Sequence, residues 1–277
     1  RRQRQMCIRD RNTNKPLDLY NMFDWDLKNE ISFSEFKRIF DSYKSNTYEH
    51  FLYLNKVNEG NGELIWLDKY ENNGVSLTVK DFRISSIVMI PIIKYPDKNK
   101  ITLNEYIMPV NSGWEVFWGG DNELINYHYP NESQRYAYDL IIRKNNISYK
   151  SFGYANEDYY CFSEDIIAPQ DGIILNIENE HTDSDSQKGN SLLGNHILIS
   201  HENNEYSLLA HLEYSSINVV IGEKIRQGDL IGKCGNSGNS SEPHLHFQVM
   251  NTSKIDECVS LKIKFSNGRS PIKGDSI

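Results

Sequence analysis

Between Asp18 and Tyr43 the apolar residues Tyr20, Phe23, Trp25, Leu27, Ile31, Phe33, Phe36, Ile39 and Phe40 recur mostly at steps of three and four. That spacing lines one face of an α-helix. The pattern breaks near Glu30, so it predicts two short amphipathic helices. Ser32, with Glu35 three positions on, has the capping-box form and marks the start of the second. After Ser45 the period changes. Residues 51–54, 63–68, 75–79 and 83–90 are short runs rich in β-branched and aromatic side chains, separated by Asn58-Glu59-Gly60-Asn61-Gly62 and Glu71-Asn72-Asn73-Gly74. They predict a strand meander behind the helices, and so a small α+β domain over residues 1–95.

Residues 96–113 are more polar, carry Asp97-Lys98-Asn99-Lys100, and are expected to form a linker. From Trp114 onward the apolar runs are short and bounded by Gly, Pro, Asn or Asp: residues 165–169, 172–177, 195–201, 206–212 and 224–232. This predicts an all-β domain over residues 114–277, an antiparallel sandwich or barrel. Its last clear run is Pro243-His244-Leu245-His246-Phe247-Gln248-Val249. In an extended strand alternate side chains share a face, so His244 and His246 project together and Leu245, Phe247 and Val249 oppose them. The preceding residues, 235–241, are mostly Gly, Asn and Ser, and deliver the chain to a rim.

Composition narrows the function. A chain of 277 residues with 38% hydrophobic and 25% charged residues is globular and long enough for two cores. A net charge of -8, with no basic stripe among aromatics, argues against nucleic acid; the basic cluster Arg1-Arg2-Gln3-Arg4 is a chain end. No apolar run reaches membrane-span length, residues 84–93 being short and interrupted. No signal-peptide pattern is present, but the first residue is Arg, so an upstream segment is expected. Cys7, Cys161, Cys234 and Cys258 are scattered and form no C-x-x-C pair, which argues against a thiolate zinc knuckle and leaves disulfide pairing open.

The candidate chemistry lies in pieces spread along the second half. Asn126-Tyr127-His128 precedes Gln134-Arg135-Tyr136-Ala137-Tyr138-Asp139; Ala210-His211-Leu212 follows, then residues 222–232, then Pro243-His244-Leu245-His246-Phe247. Together, over roughly half the chain, they resemble the lysostaphin/LytM-type zinc metalloendopeptidases that cut peptidoglycan. The resemblance implies that Asp139 and His246 are metal ligands. The family's other ligand histidine stands four residues before the aspartate, where this sequence has Arg135, whose guanidinium has no lone pair to give. His128, eleven residues before Asp139, is the nearest histidine; a loop through residues 130–133 can fold it back over the strand, and it is assigned as the third ligand. The implied cofactor is one Zn2+ ion per chain, held by two imidazoles and a carboxylate with a fourth position left for water. His211 and His244 match the family's two non-ligand histidines, the expected catalytic pair for proton transfer and oxyanion stabilisation. His50, His181, His196 and His201 match no metal role and are read as structural or exposed.

By the same resemblance the chain is expected to be a zinc endopeptidase acting on stem or cross-bridge peptides, bound extended between loops 181–194 and 235–241. Its location would be extracytoplasmic, reached through an upstream signal or anchor. Two other readings stay open. Arg135 at the usual ligand position fits a hydrolysis-deficient binding or activator module of the cell envelope, and a purely structural β domain predicts that His128, Asp139 and His246 do not converge. Residues 222–232 also resemble the turn of lipoyl and biotinyl carrier domains, but those need a lysine at a hairpin tip and Lys224 opens a strand.

Overall fold

The computed structural model describes residues 16–96, 100–183 and 191–277, so Cys7 and the basic residues 1–4 lie outside the described residues. The chain divides into two compact units, Arg1–Ile93 and Lys94–Ile277.

In the first unit α1 (Pro16–Asn21), α2 (Trp25–Glu30) and α3 (Phe33–Lys44) precede β1 (His50–Asn55), β2 (Gly62–Asp68), β3 (Asn73–Lys80) and β4 (Arg83–Pro91). The strands form an antiparallel sheet in the order β1-β2-β3-β4. The first of the two expected helices is in fact split. Between α1 and α2 the backbone leaves the helix to bridge β4, with Asp24 N donating to Ile84 O at 2.9 Å and Ile84 N to Met22 O at 2.9 Å. Asp24 then restarts it, its carboxylate accepting from Leu27 N at 2.8 Å as an N-cap. Ser32 and Glu35 form the capping box at the start of α3. Phe23, Leu27 and Phe36 pack on Leu64, Trp66, Leu77, Val79 and Ile84, the alternate apolar positions of the sheet. Each such side chain, fully buried, stabilises by about 1.5–3 kcal/mol.

The second unit holds β5 (Glu115–Trp118), β6 (Tyr138–Ile141), β7 (Asp165–Ile167), β8 (Gly172–Glu178), β9 (Asn195–Ser200), β10 (Tyr206–Leu212), β11 (Lys224–Ile225), β12 (Leu230–Lys233) and β13 (Leu245–Met250). Its main sheet has the order β11-β8-β9-β10-β13-β6-β5, antiparallel throughout, and β12 pairs with β7. The chain is therefore a small helix-and-sheet unit followed by a β-rich one. The run 224–232 is two strands, broken where Asp229 turns the chain by accepting from Arg226 N at 2.7 Å. Residues 101, 106 and 110, within the stretch expected to act as a linker, form bridges to Lys262, Phe265 and Ile166, and Tyr106 is fully buried.

β13 is an interior strand of this unit's main sheet, next to the middle strand β10. All its residues are buried, with Leu245, Phe247 and Val249 in the apolar core beside Leu140, Ile197 and Leu209. The remaining positions, His246, Gln248 and Met250, therefore take the other face of a well-packed strand. Cys161, Cys234 and Cys258 are buried free thiols. Among the described residues no helix is long and apolar enough to cross a membrane.

Candidate active site

β13 lies between β10 and β6, and the register sets His246 opposite Ala210 on one side and Asp139 on the other. Directly opposed residues have their Cβ atoms only about 5 Å apart. His246 Nδ1 accordingly comes to 2.9 Å from Asp139 Oδ1. His128 reaches the same carboxylate from a series of turns ahead of β6, its Nε2 lying 3.1 Å from each carboxylate oxygen. Those turns are organised by Asn126, fully buried, whose amide nitrogen donates to Gly120 O, Arg135 O and Ala137 O while its oxygen accepts from His128 N at 3.1 Å. One ligand-type atom from each of His128, Asp139 and His246 falls within 4.8 Å of the others, and the three residues are 4%, 2% and 3% exposed.

Arg135 is not part of this cluster. It precedes β6 rather than sharing its face with Asp139; its Nε donates to Tyr129 O at 3.0 Å and its guanidinium lies 3.9 Å from the Tyr95 ring centroid. The position that carries a ligand in the ordinary family pattern is here a buried cation packed on aromatic rings.

His211 and His244 stand beside the cluster, their rings 4.7 Å apart. His211 sits at a bulge in β10, between Ala210 opposite His196 and Leu212 opposite Asn195, with φ of 64°. A bulge turns a side chain that regular alternation would aim elsewhere, and a left-handed residue costs about 1–3 kcal/mol unless its surroundings dictate it. Here they do: His211 N donates to Leu193 O at 3.0 Å, its carbonyl accepts from Gly235 N at 3.1 Å, and its Nδ1 donates to Ser237 O at 2.8 Å. His244 precedes β13; its Nδ1 donates to Glu242 O at 2.8 Å and its Nε2 is 3.9 Å from Asp139 Oδ1. Both imidazoles thus spend Nδ1 on the backbone and keep Nε2 for other work.

Electrostatics follow from crowding three imidazoles around one carboxylate. Burial opposes ionisation of Asp139, but the neighbouring His244 and His128, with hydrogen bonds from His128 and His246, hold its carboxyl well below the usual range. His246 is raised: burial disfavours its charge, and the hydrogen bond and charge of Asp139 outweigh that. His211 goes the other way, pushed well down by burial and by its neighbours His244 and His246. It is the imidazole kept neutral.

Some residues here were not singled out from the sequence. Tyr127 lays its ring 3.9 Å from that of His128 and 5.4 Å from that of Trp118, and burial of its hydroxyl together with the nearby Asp139 charge raises its pKa. Gln134 and Gln248 accept from the outward nitrogens of His128 and His246. All three stand within or next to the motifs, and Gln248 follows His246 by the two-residue step that keeps side chains on one strand face.

Residues 158–257 match the sequence profile of Peptidase family M23. The second unit thus contains a stretch similar to Peptidase family M23, in keeping with the lysostaphin/LytM-type resemblance of its motifs. The matched stretch contains His211, His244 and His246, with His128 and Asp139 upstream of it. An uncharacterized metalloprotease of Buchnera aphidicola subsp. Baizongia pistaciae is 34% identical over 99 residues, 36% of this chain and 23% of that protein. The peptidoglycan DD-endopeptidase ShyA of Vibrio cholerae is 39% identical over 57 residues, 21% of this chain and 13% of that protein. The chain thus spans less than a quarter of the length of these curated relatives. Among solved structures, the catalytic domain of lysostaphin from Staphylococcus simulans aligns over 54% of this chain and 89% of its own, with 22% identity and a TM-score of 0.32.

Proposed function

We propose that the second unit is a zinc-dependent endopeptidase that cuts stem or cross-bridge peptides of peptidoglycan outside the cytoplasm. The observation that carries this reading is the meeting of His128 Nε2, His246 Nδ1 and the Asp139 carboxylate in one buried cluster, with His211 and His244 alongside. Two imidazoles and one carboxylate are the donor set and ligand number of a catalytic zinc site, and the burial of Asp139 among imidazoles, with no lysine or arginine ion pair among the described residues, suits a cation there. Zinc, when bound, supplies a Lewis acid for the scissile carbonyl and lowers the pKa of water toward ~7.

The chain's own groups do the rest. His128, Asp139 and His246 fix the reacting centre, and β13 and β6 keep it rigid. His211, neutral and with Nδ1 committed to Ser237, offers Nε2 as the general base that takes a proton from the attacking water. His244, its Nε2 turned toward the same centre, donates to the developing oxyanion or to the leaving amine. The peptide lies extended beside the 235–241 loop; the opposing 181–194 loop lies partly outside the described residues.

The test pairs metal analysis with digestion of purified cell-wall sacculi. Expected are one zinc per chain and release of soluble peptide-bearing fragments, abolished by chelator and restored by zinc. Zinc binding with no fragment release would favour the binding or activator module, and no uptake of zinc would overturn the metalloenzyme reading altogether.

A further inference from the structure

We infer that Gln134 and Gln248 are positioning residues that decide which nitrogen His128 and His246 each turn toward Asp139, an inference that rests on the metal centre proposed above. A neutral imidazole has one N–H and one lone pair, and only the nitrogen with the lone pair can hold a metal. Both rings must therefore be told which way to face.

For His246 the instruction is fully built. Gln248, 1% exposed, donates through Nε2 to Ser133 O at 3.2 Å, which turns its amide oxygen toward the ring. That oxygen lies 3.0 Å from His246 Nε2. A carbonyl oxygen only accepts, so Nε2 carries the N–H and Nδ1 is left for the centre. For His128 the geometry is mirrored. Gln134 Oε1 lies 3.0 Å from Nδ1, and Nε2 is the atom that faces Asp139. The Gln134 backbone is itself held, its N donating to Asn131 O at 3.1 Å and its O accepting from Ala137 N at 2.8 Å.

Ser133 and Gln134 are neighbours, so one turn buckles both imidazoles: the carbonyl of the first holds Gln248 and the side chain of the second holds His128. This gives a physical reason why a histidine eleven residues before Asp139 can serve where Arg135 occupies the ordinary position. A ring arriving on a long connection has more freedom to rotate than one on the strand itself, and the Gln134 contact removes that freedom.

The test is zinc affinity of the full chain, by competition with a chromophoric chelator, for the parent, Gln134→Ala, Gln134→Glu, Gln248→Ala and His128→Ala, with circular dichroism and melting of each metal-free protein. Gln134→Ala and Gln248→Ala should each weaken zinc binding by about 10–100-fold, the usual cost of losing such an outer contact. Gln134→Glu, whose carboxylate accepts the same N–H, should stay within about threefold of the parent. Ring nitrogen correlations by NMR of the zinc-loaded parent should show the remaining proton on Nδ1 of His128 and on Nε2 of His246. Gln134 is half-buried, so its pair of variants decides the matter even if Gln248→Ala does not fold. Gln134→Ala binding zinc within about twofold of the parent, or Gln134→Glu binding as weakly as Gln134→Ala, overturns the positioning role. If His128→Ala loses zinc while Gln134→Ala keeps it, that role falls alone; if the parent takes up none, the metal centre falls and takes the inference with it.

Discussion

His246 and Asp139 face each other directly across the β13–β6 pair, with Nδ1 of the one 2.9 Å from a carboxylate oxygen of the other. The contact joins two interior strands of the sheet, so the carboxylate position is set by sheet register rather than by a loop. Asp139→Asn keeps the shape and removes the charge. It should weaken zinc binding by more than the about 10–100-fold expected for an outer contact, because it removes a donor from the centre itself. Chelator competition measures this. An Asn variant that holds zinc as the parent does would show that the ion, if any, sits elsewhere.

Much of this arrangement was legible before any coordinates. The alternation through residues 243–249 follows from a strand packed on one face, and Leu245, Phe247 and Val249 are indeed the buried apolar side. The meander of the first unit was legible for the same reason, its Gly- and Asn-rich turns punctuating β-branched runs. What could not be read were features set by partners distant in sequence. The break between α1 and α2 depends on Ile84, some sixty residues on, and the bulge at His211 depends on Leu193 and Gly235. Arg135, four residues before Asp139, lies before β6 and packs on Tyr95 and Tyr129, because the turns organised by Asn126 set the backbone there.

The bulge at His211 makes a sharper experiment than alanine alone. Asn tolerates the left-handed region far better than a β-branched residue does. His211→Asn should fold and bind zinc like the parent while losing the general base, a fall of about 10²–10⁴-fold in kcat. His211→Val should lose stability as well, since φ of 64° is hostile to it. Thermal melts with single-turnover cleavage separate the two effects. Full activity in His211→Asn would remove this residue from the chemistry.

Stability should fall in mild acid through His201, which is not part of the His128, Asp139 and His246 cluster. Its Nδ1 donates to Asp171 O at 2.7 Å and its Nε2 accepts from the Ser207 hydroxyl at 2.8 Å, a pattern that needs the neutral ring. Burial lowers its pKa, and the Asp171 hydrogen bond and charge only partly oppose that. The folded state therefore binds fewer protons than the unfolded state between the two pKa values, and stability rises with pH in that window. The contribution is fully present above the unfolded value of about 6.5 and is lost as pH falls toward the folded one. His196, also lowered by burial, adds in the same direction. Melting temperatures between pH 7.5 and 5 should decline below about 6.5 for the parent and decline less for His201→Asn. Parallel declines would assign the acid sensitivity to other groups.

Tyr127 tests whether the ring or the hydroxyl matters at the mouth of the site. Its ring packs on His128 and touches Trp118, while the Asp139 charge acts on its hydroxyl. A hydrogen bond from that hydroxyl to the carboxylate would contribute about 1.5–3 kcal/mol, or roughly 10–100-fold in an equilibrium or rate. Tyr127→Phe keeps the packing and removes only the hydroxyl. If the hydroxyl serves to brace Asp139, the loss should appear in zinc affinity, with kcat of the zinc-saturated enzyme nearly unchanged. Tyr127→Ala should weaken zinc further by uncovering His128 to water. The residue is half-exposed, so the fold should tolerate both changes. A Phe variant with parental zinc affinity but a tenfold or greater fall in kcat would mean instead that the hydroxyl reaches the substrate, which would move Tyr127 from support into the reaction itself.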